Sequence, residues 1–340
     1  MMYNSKIIGL GHYVPDNIVT NQDLEDTLDT SDKWIQSRTG IKERRWVTKE
    51  SGDNVALMGV KAAKIAIKKS GLKKDDIDFI IFATMTSDYY FPGCGVTVQN
   101  ELGLKHIGAL DVRNQCSGLI YALSVADQFI KTGMYKNILV IGAELHSGGL
   151  DKTPRGRDVS VIFGDGAGAM VLTQTTEPKG ILSTHLHSDG KYAEELTVIG
   201  PSPRHGIGMD NHWFKFVQDD PNKIPFFPYM NGKSVFKHAV FRFSEVITEG
   251  LIANKLKPTD VNLFIPHQAN LRIAEFVQRQ LRFTDDQVFN NIQKYGNTTA
   301  ASIAIALDEA HTQGKVKDND LIVLASFGSG YTWGSVIIKW

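Results

Sequence analysis

The sequence predicts an α/β protein built from two similar halves, each a largely parallel sheet covered by helices, packed about a pseudo-twofold axis. Three internal echoes predict it. The stretch IKKSGLKKDDIDFIIFATMTS (67–87) is answered by LIANKLKPTDVNLFIPHQANL (251–271): a helix end, a Lys-containing turn, an acidic residue, then a short apolar strand. QCSGLIYALSVADQFIKTGMYKNILVIGAE (115–144) is answered by NTTAASIAIALDEAHTQGKVKDNDLIVLASFG (297–328), each a small-residue helix, a Gly-containing turn and a buried strand. FGDGAGAMVL (163–172) is answered by FGSGYTWGSVII (327–338), a glycine turn between strands. The halves divide at about 1–175 and 176–340.

Taken in order, the first long helix runs from about Asp53 to Ser70. Asp53 is placed to cap its N-terminus and Gly71 its C-terminus, and Ala62, Ala63 and Ala66 keep it slim enough to be buried. The next helix opens after Ser117-Gly118 and places Cys116 where unpaired backbone N–H groups point at the sulfur, a position that stabilises a thiolate. Residues 196–229 interrupt the repeat. Gly, Pro and polar residues there interleave with Trp213, Phe214, Phe216, Phe226 and Phe227, and the segment reads as a long ordered loop or cap. In the second half the echo aligns Asn297 with Cys116, since both open the small-residue helix. His267 stands where the apolar strand ends, level with about Ala83. A pseudo-axis brings these strand and helix ends together, so Cys116, His267 and Asn297 are expected to share one central site.

Composition limits what the protein does. The 37 basic and 37 acidic residues of the 340-residue chain cancel, which removes the whole-molecule attraction typical of nucleic-acid or anionic-membrane binding. An acidic partner must then meet a local patch. Two cysteines build no disulfide framework, and the chain has neither an apolar N-terminal leader core nor an apolar run near 18 residues; the expectation is a cytoplasmic protein with free thiols. The glycine turns lack both the G-x-G-x-x-G spacing and a Walker lysine, so they read as strand turns rather than phosphate loops. His185 and His187 have no matching ligand pair nearby in sequence, and no metal site is expected.

The ordered set of Cys116 in NQCSG, His267 in PHQANLRI, Asn297 in YGNTTAAS and the ending FGSGYTWGS resembles the condensing enzymes of the thiolase fold, most closely the β-ketoacyl-acyl carrier protein synthase III family. The likeness extends from IIGLGHYVPDNIVTNQDLE through SDKWIQSRTGIKERR and VIFGDGAGAMVL to the last strand, with no clear counterpart only around 200–229. It implies a five-layered αβαβα sandwich and a homodimer. It also implies an acyltransferase that joins an acyl-CoA primer to malonyl-acyl carrier protein without a resident cofactor.

By that resemblance Cys116 carries the acyl group, and His267 and Asn297 serve the extender's thioester oxygen. The backbone N–H groups of Cys116 and Ser329 form the oxyanion hole. Trp34 and Arg38 sandwich the adenine of coenzyme A, with Arg155 near its phosphates. Phe91 crosses to the partner's acyl tunnel, core packing being its alternative. Lys237, Arg272 and Arg279 meet the acidic carrier protein. Acyl transfer suits these residue types: a polarisable thiol is a good nucleophile toward a thioester, and two preplaced donors stabilise charge growing on a thioester oxygen. Competing readings are a type III polyketide synthase or hydroxymethylglutaryl-CoA synthase, and a non-catalytic acyl-binding partner of a condensing heterodimer. A degradative thiolase needs a second cysteine where this chain has Ser329.

Overall fold

The computed structural model describes residues 3–200 and 226–340. Among the described residues nine strands form two main sheets: β1 (Asn4–Tyr13), β2 (Phe79–Ala83), β3 (Gly108–Val112), β4 (Asn137–Glu144) and β5 (Gly166–Thr175) in the first; β6 (Gly180–Ser188), β7 (Leu263–Pro266), β8 (Leu321–Gly328) and β9 (Thr332–Lys339) in the second. The first sheet has the order β1-β5-β4-β2-β3 and the second β7-β8-β9-β6, the same succession read from its counterpart edges. The counterpart of edge strand β3 is reduced to a single parallel bridge between Phe264 and Val288.

Five layers follow from which faces are apolar. Among the helices of the described residues, those that build the layers and the site are α1 (Asp32–Thr39), α2 (Val55–Ser70), α3 (Gly118–Lys131), α4 (Gly232–Ala253), α5 (Leu271–Leu281) and α6 (Ser302–Thr312). Helices α3 and α6 lie between the sheets, in one cluster with Ile81 and Val140 of the first and Ile265 and Leu324 of the second. Their small residues, among them Ala122, Ala126, Ala304 and Ala306, let both helices fit between two sheets. Eight of the eleven residues of α6 are buried, as expected of a helix packed between two sheets. Helix α2 covers the outer face of the first sheet, and α4 with α5 the outer face of the second.

Three expectations are corrected. The cap of α2 is Asn54, whose side chain accepts the Leu57 N–H at 2.8 Å; Asp53 instead accepts from Tyr13 Oη and Lys61 Nζ. Gly71 closes the helix as expected, at φ 74°. The sheets are mixed rather than largely parallel: β2-β3, β2-β4 and β7-β8 run parallel, while β1-β5, β4-β5, β8-β9 and β9-β6 run antiparallel. The turn at Gly328-Ser329-Gly330 is too short for a crossover, so it can only return the chain antiparallel. In the first half the glycine turn does not join two strands: it follows the short helix Arg157–Ser160 and leads into β5.

Of the 196–229 segment, Leu196–Thr197 pairs antiparallel with Tyr229–Met230 and ties its two ends together. Trp213, Phe214 and Phe216 lie outside the described residues. Among the described residues no helix is long and apolar enough to cross a membrane, and no cluster of three His, Cys, Asp or Glu side chains could hold a metal ion. His185 and His187 both bond Glu249, at 3.0 and 2.6 Å.

Candidate active site

Cys116 sits in the tight turn Gln115–Ser117 that leads into α3. Gln115 adopts φ 46°, a left-handed conformation that turns the chain sharply just before the cysteine. Both halves hold the turn in place: Ser326 Oγ donates to the Cys116 carbonyl at 2.7 Å and Ser117 Oγ to the Thr332 carbonyl at 2.7 Å. The glycine turn after β8 then closes over the thiol. A Cβ on Gly328 would lie 2.5 Å from Cys116 Cβ, so only glycine fits there. The backbone N–H groups of Ser329 and of Cys116 itself point at the sulfur, while the Ser329 hydroxyl donates away from it to the Leu196 carbonyl.

The thiol is not the pre-formed thiolate that the helix start suggests. Burial pushes its pKa up to about 12, the Glu144 carboxylate adds to this, and the two N–H groups only partly offset them. Glu144 was missed from sequence, although an acid ending the apolar run ILVIGAE is a recognisable oddity. It is fully buried and accepts from Thr84, Thr86 and the Met85 backbone. Its own pKa rises to about 7, chiefly through burial.

His267 follows β7 and is 3% exposed. Its Nδ1 lies 2.7 Å from Ser302 Oγ, which also accepts the Gln268 N–H at 3.3 Å. A hydroxyl that accepts from an amide still has its own hydrogen to give, and when Ser302 Oγ donates it to Nδ1 the ring proton sits on Nε2. That Nε2 is buried and has no hydrogen-bond partner among the described residues. Burial holds the imidazole pKa down to about 3, so the ring is neutral. Asn297 is tied by its backbone to residues 162–164, with its N–H donating to the Ile162 carbonyl and its carbonyl accepting from Gly164. Its Oδ1 accepts the Thr299 N–H at 2.8 Å, which leaves Nδ2 as a donor without a partner among the described residues.

Cys116, His267 and Asn297 line one pocket of about 520 Å³, together with Gly328, Trp34 and Arg272. A second pocket of about 410 Å³ also reaches Cys116, bounded by Met85, Leu145, Leu150, Phe226 and Ser329. Arg38 lies over the Trp34 ring at 4.5 Å and Arg157, not anticipated from sequence, at 5.0 Å. At 4.5 Å no base fits between Trp34 and Arg38, so an adenine sandwich requires the exposed Arg38 to swing outward. Arg155 instead pairs with Asp151 at 2.6 Å and lies 5.8 Å from the Phe227 ring. Lys237, Arg272 and Arg279 are all exposed, on the adjacent helices α4 and α5, with Arg272 against Phe236 at 5.5 Å. Phe91 is 82% exposed beside Tyr89 and Tyr90, so its core-packing alternative is overturned.

Duplicated halves that bury a cysteine, a histidine and an asparagine around one pocket between two sheets define the class of thiolase-fold acyltransferases. Models of 3-oxoacyl-[acyl-carrier-protein] synthase III match residues 110–190, and of its C-terminal part residues 251–340. The chain is 44% identical to β-ketoacyl-[acyl-carrier-protein] synthase III of Aliivibrio fischeri, over 98% of this chain and 99% of that protein. It is 42% identical to the enzyme of the same name from Ehrlichia canis, over 99% and 100%. The crystal structure of 3-oxoacyl-[acyl-carrier-protein] synthase III from Aquifex aeolicus superposes with a TM-score of 0.89 at 43% identity, covering 99% of this chain and 100% of that one. The chain belongs to the β-ketoacyl-[acyl-carrier-protein] synthase III family, condensing enzymes that initiate fatty acid biosynthesis.

Proposed function

We propose that Cys116 takes the acyl group from an acyl-CoA primer and passes it to the carbon released when malonyl-acyl carrier protein loses carbon dioxide. One observation carries the assignment: Cys116, His267 and Asn297 line the same pocket, with an unpartnered imidazole Nε2 and a free amide Nδ2 as its buried donors. In the first half-reaction the sulfur attacks the thioester carbonyl and its proton leaves with the coenzyme A thiol. The Cys116 and Ser329 N–H groups hold the tetrahedral oxyanion. In the second, cleavage of the malonyl C–C bond puts charge on the extender's thioester oxygen, where His267 Nε2–H and Asn297 Nδ2–H stabilise it. The enolate carbon attacks the acyl carbonyl, and the tetrahedral intermediate collapses to expel the Cys116 thiolate. The electron pair for the new bond comes from the malonyl C–C bond that breaks, so the step calls on no redox cofactor.

A thiol held near pKa 12 attacks only as it gives up its proton, which in this sequence passes to the departing coenzyme A thiol. The pocket with His267 suits a pantetheine arm and the second pocket the acyl chain, with Cys116 between them. Trp34 and Arg38 border the coenzyme end, and Lys237, Arg272 and Arg279 offer the local basic patch that a chain of balanced charge needs to meet an acidic carrier. Exposed Tyr89, Tyr90 and Phe91 suit burial against a second copy of this chain, which supports a homodimer. Acyl-CoA and carrier-protein substrates and two free thiols agree with work in the cytoplasm.

Intact-mass measurement after incubation with a panel of acyl-CoAs tests the proposal. One acyl mass per chain is expected, lost in Cys116→Ala; label on Cys94 instead would overturn the assignment. Cys94 is buried and lines neither of the pockets that meet at Cys116.

A further inference from the structure

The end of β4 braces the segment behind Asn297 at two points. Glu144 accepts the Ala300 N–H, and His146, two residues further on, places Nε2 2.6 Å from Thr299 Oγ1. The approach is close because β4 carries Gly142 there: a Cβ at that position would come within 2.4 Å of the Ala300 carbonyl oxygen. Thr299 itself sits at φ 49°, a left-handed conformation that costs a β-branched residue energy and persists only when its surroundings impose it. The Thr299 N–H is the group that donates to Asn297 Oδ1 at 2.8 Å.

We infer that His146 is a positioning residue: by holding Thr299 Oγ1 it keeps the Thr299 N–H on Asn297 Oδ1, and so keeps the Asn297 amide turned to donate from Nδ2 into the substrate pocket. The imidazole is itself well fixed. It is 6% exposed and rests on the Phe163 ring at 4.5 Å, and its backbone N–H donates to Asp165 Oδ1 at 2.7 Å. Burial holds its pKa down to about 3, which keeps the ring neutral over any working pH. Sequence reasoning had no signal for it, because the link joins residues from opposite halves of the chain.

His146 also lines the second pocket, so a different role competes: a wall of the acyl channel. The two roles separate by half-reaction. A wall residue governs acyl loading and chain-length preference, whereas a residue acting through Asn297 governs loss of carbon dioxide from the extender. The inference rests on the role proposed for Asn297, so Asn297→Ala is the reference variant.

The experiment measures acyl-CoA loading by intact mass and, separately, carbon dioxide release from malonyl-acyl carrier protein. His146→Phe and Thr299→Val are each expected to lower kcat for decarboxylation about 10- to 100-fold, the order expected of a misplaced catalytic group, and Thr299→Val, at a residue that lines neither pocket, to keep loading within about twofold of the parent. His146→Gln and Thr299→Ser, which keep the hydrogen bond, are expected to retain most of the rate, and the double variant His146→Phe/Thr299→Val to be no slower than either single one. Decarboxylation at the parental rate in Thr299→Val, or loading that falls in step with it, overturns the inference. If Asn297→Ala decarboxylates normally, the Asn297 role itself fails; if only Asn297→Ala is slow, the inference fails alone. Should His146→Phe not fold, the Thr299 pair decides.

Discussion

The Ser302 hydroxyl stands between the Gln268 N–H and His267 Nδ1, 3.3 Å from one and 2.7 Å from the other, where it can accept from the amide and donate to the ring, the arrangement that leaves Nε2 to donate into the pocket. Ser302 belongs to the helix that follows Asn297, so one short segment serves both donors of the pocket.

Removing either donor is expected to slow decarboxylation and condensation by about 10²- to 10³-fold while leaving acyl loading nearly intact. Ser302→Ala frees the ring tautomer without deleting the ring and is expected to cost less, about tenfold, in the same step. Parallel assays of loading and carbon dioxide release check this; equal loss of both half-reactions in His267→Ala would contradict the division of labour.

Docking of the carrier is expected to depend on exposed charge. Arg272→Glu should raise the KM for malonyl-acyl carrier protein and leave the acyl-CoA KM nearly unchanged, with the difference shrinking as salt is added. Steady-state kinetics at low and moderate ionic strength measure it, and unaltered carrier kinetics at low salt would move the docking surface elsewhere.

Primer length is expected to follow the pocket of about 410 Å³ beyond Cys116, walled by Met85, Leu145, Leu150 and Phe226. Each buried methylene is worth about 0.8 kcal/mol. A six- or eight-carbon primer should therefore exceed acetyl in kcat/KM by well over about tenfold. Comparing acetyl-, butyryl-, hexanoyl- and octanoyl-CoA decides it, and a maximum at acetyl would end the long-primer idea without touching the condensing activity.

Acid should destabilise the fold early. His146 and His267 are held near pKa 3 in the folded protein against an ordinary 6.5, so unfolding takes up protons and stability falls as pH drops from about 6.5 toward 3. Glu144, raised to about 7, opposes this: folded, it keeps a proton that the unfolded chain releases down to its ordinary 4.5. The loss should accordingly steepen below about pH 4.5, where Glu144 no longer opposes the histidines. Urea unfolding across pH 7 to 4 measures the slope, and His267→Phe should flatten it.

Much of the fold is legible because each half repeats a local pattern. The Cys116 and Asn297 helix starts, the Gly71 stop and the strand ending before His267 all depend on near neighbours in sequence. The errors share one cause. Asp53 and Asn54 are equally good caps on paper, and only the packing of Tyr13 and Lys61 draws Asp53 away. Strand direction was misjudged where the link between strands, not their composition, sets it. The basic residues are visible in sequence, but Arg157 shows its place on Trp34 only once two distant segments meet.

By itself, the sequence determined the duplication, the small-residue helices that can lie between two sheets, and which thiol, imidazole and amide stand at equivalent element ends. Tertiary structure alone decided their chemical state. Cys116 is a protonated thiol rather than a thiolate because burial and Glu144, packed from another strand, outweigh its helix start. His267 and Asn297 became directed donors through Ser302 and Thr299. Desolvation and hydrogen-bond direction depend on every group that surrounds an atom, and those groups come from both halves of the chain.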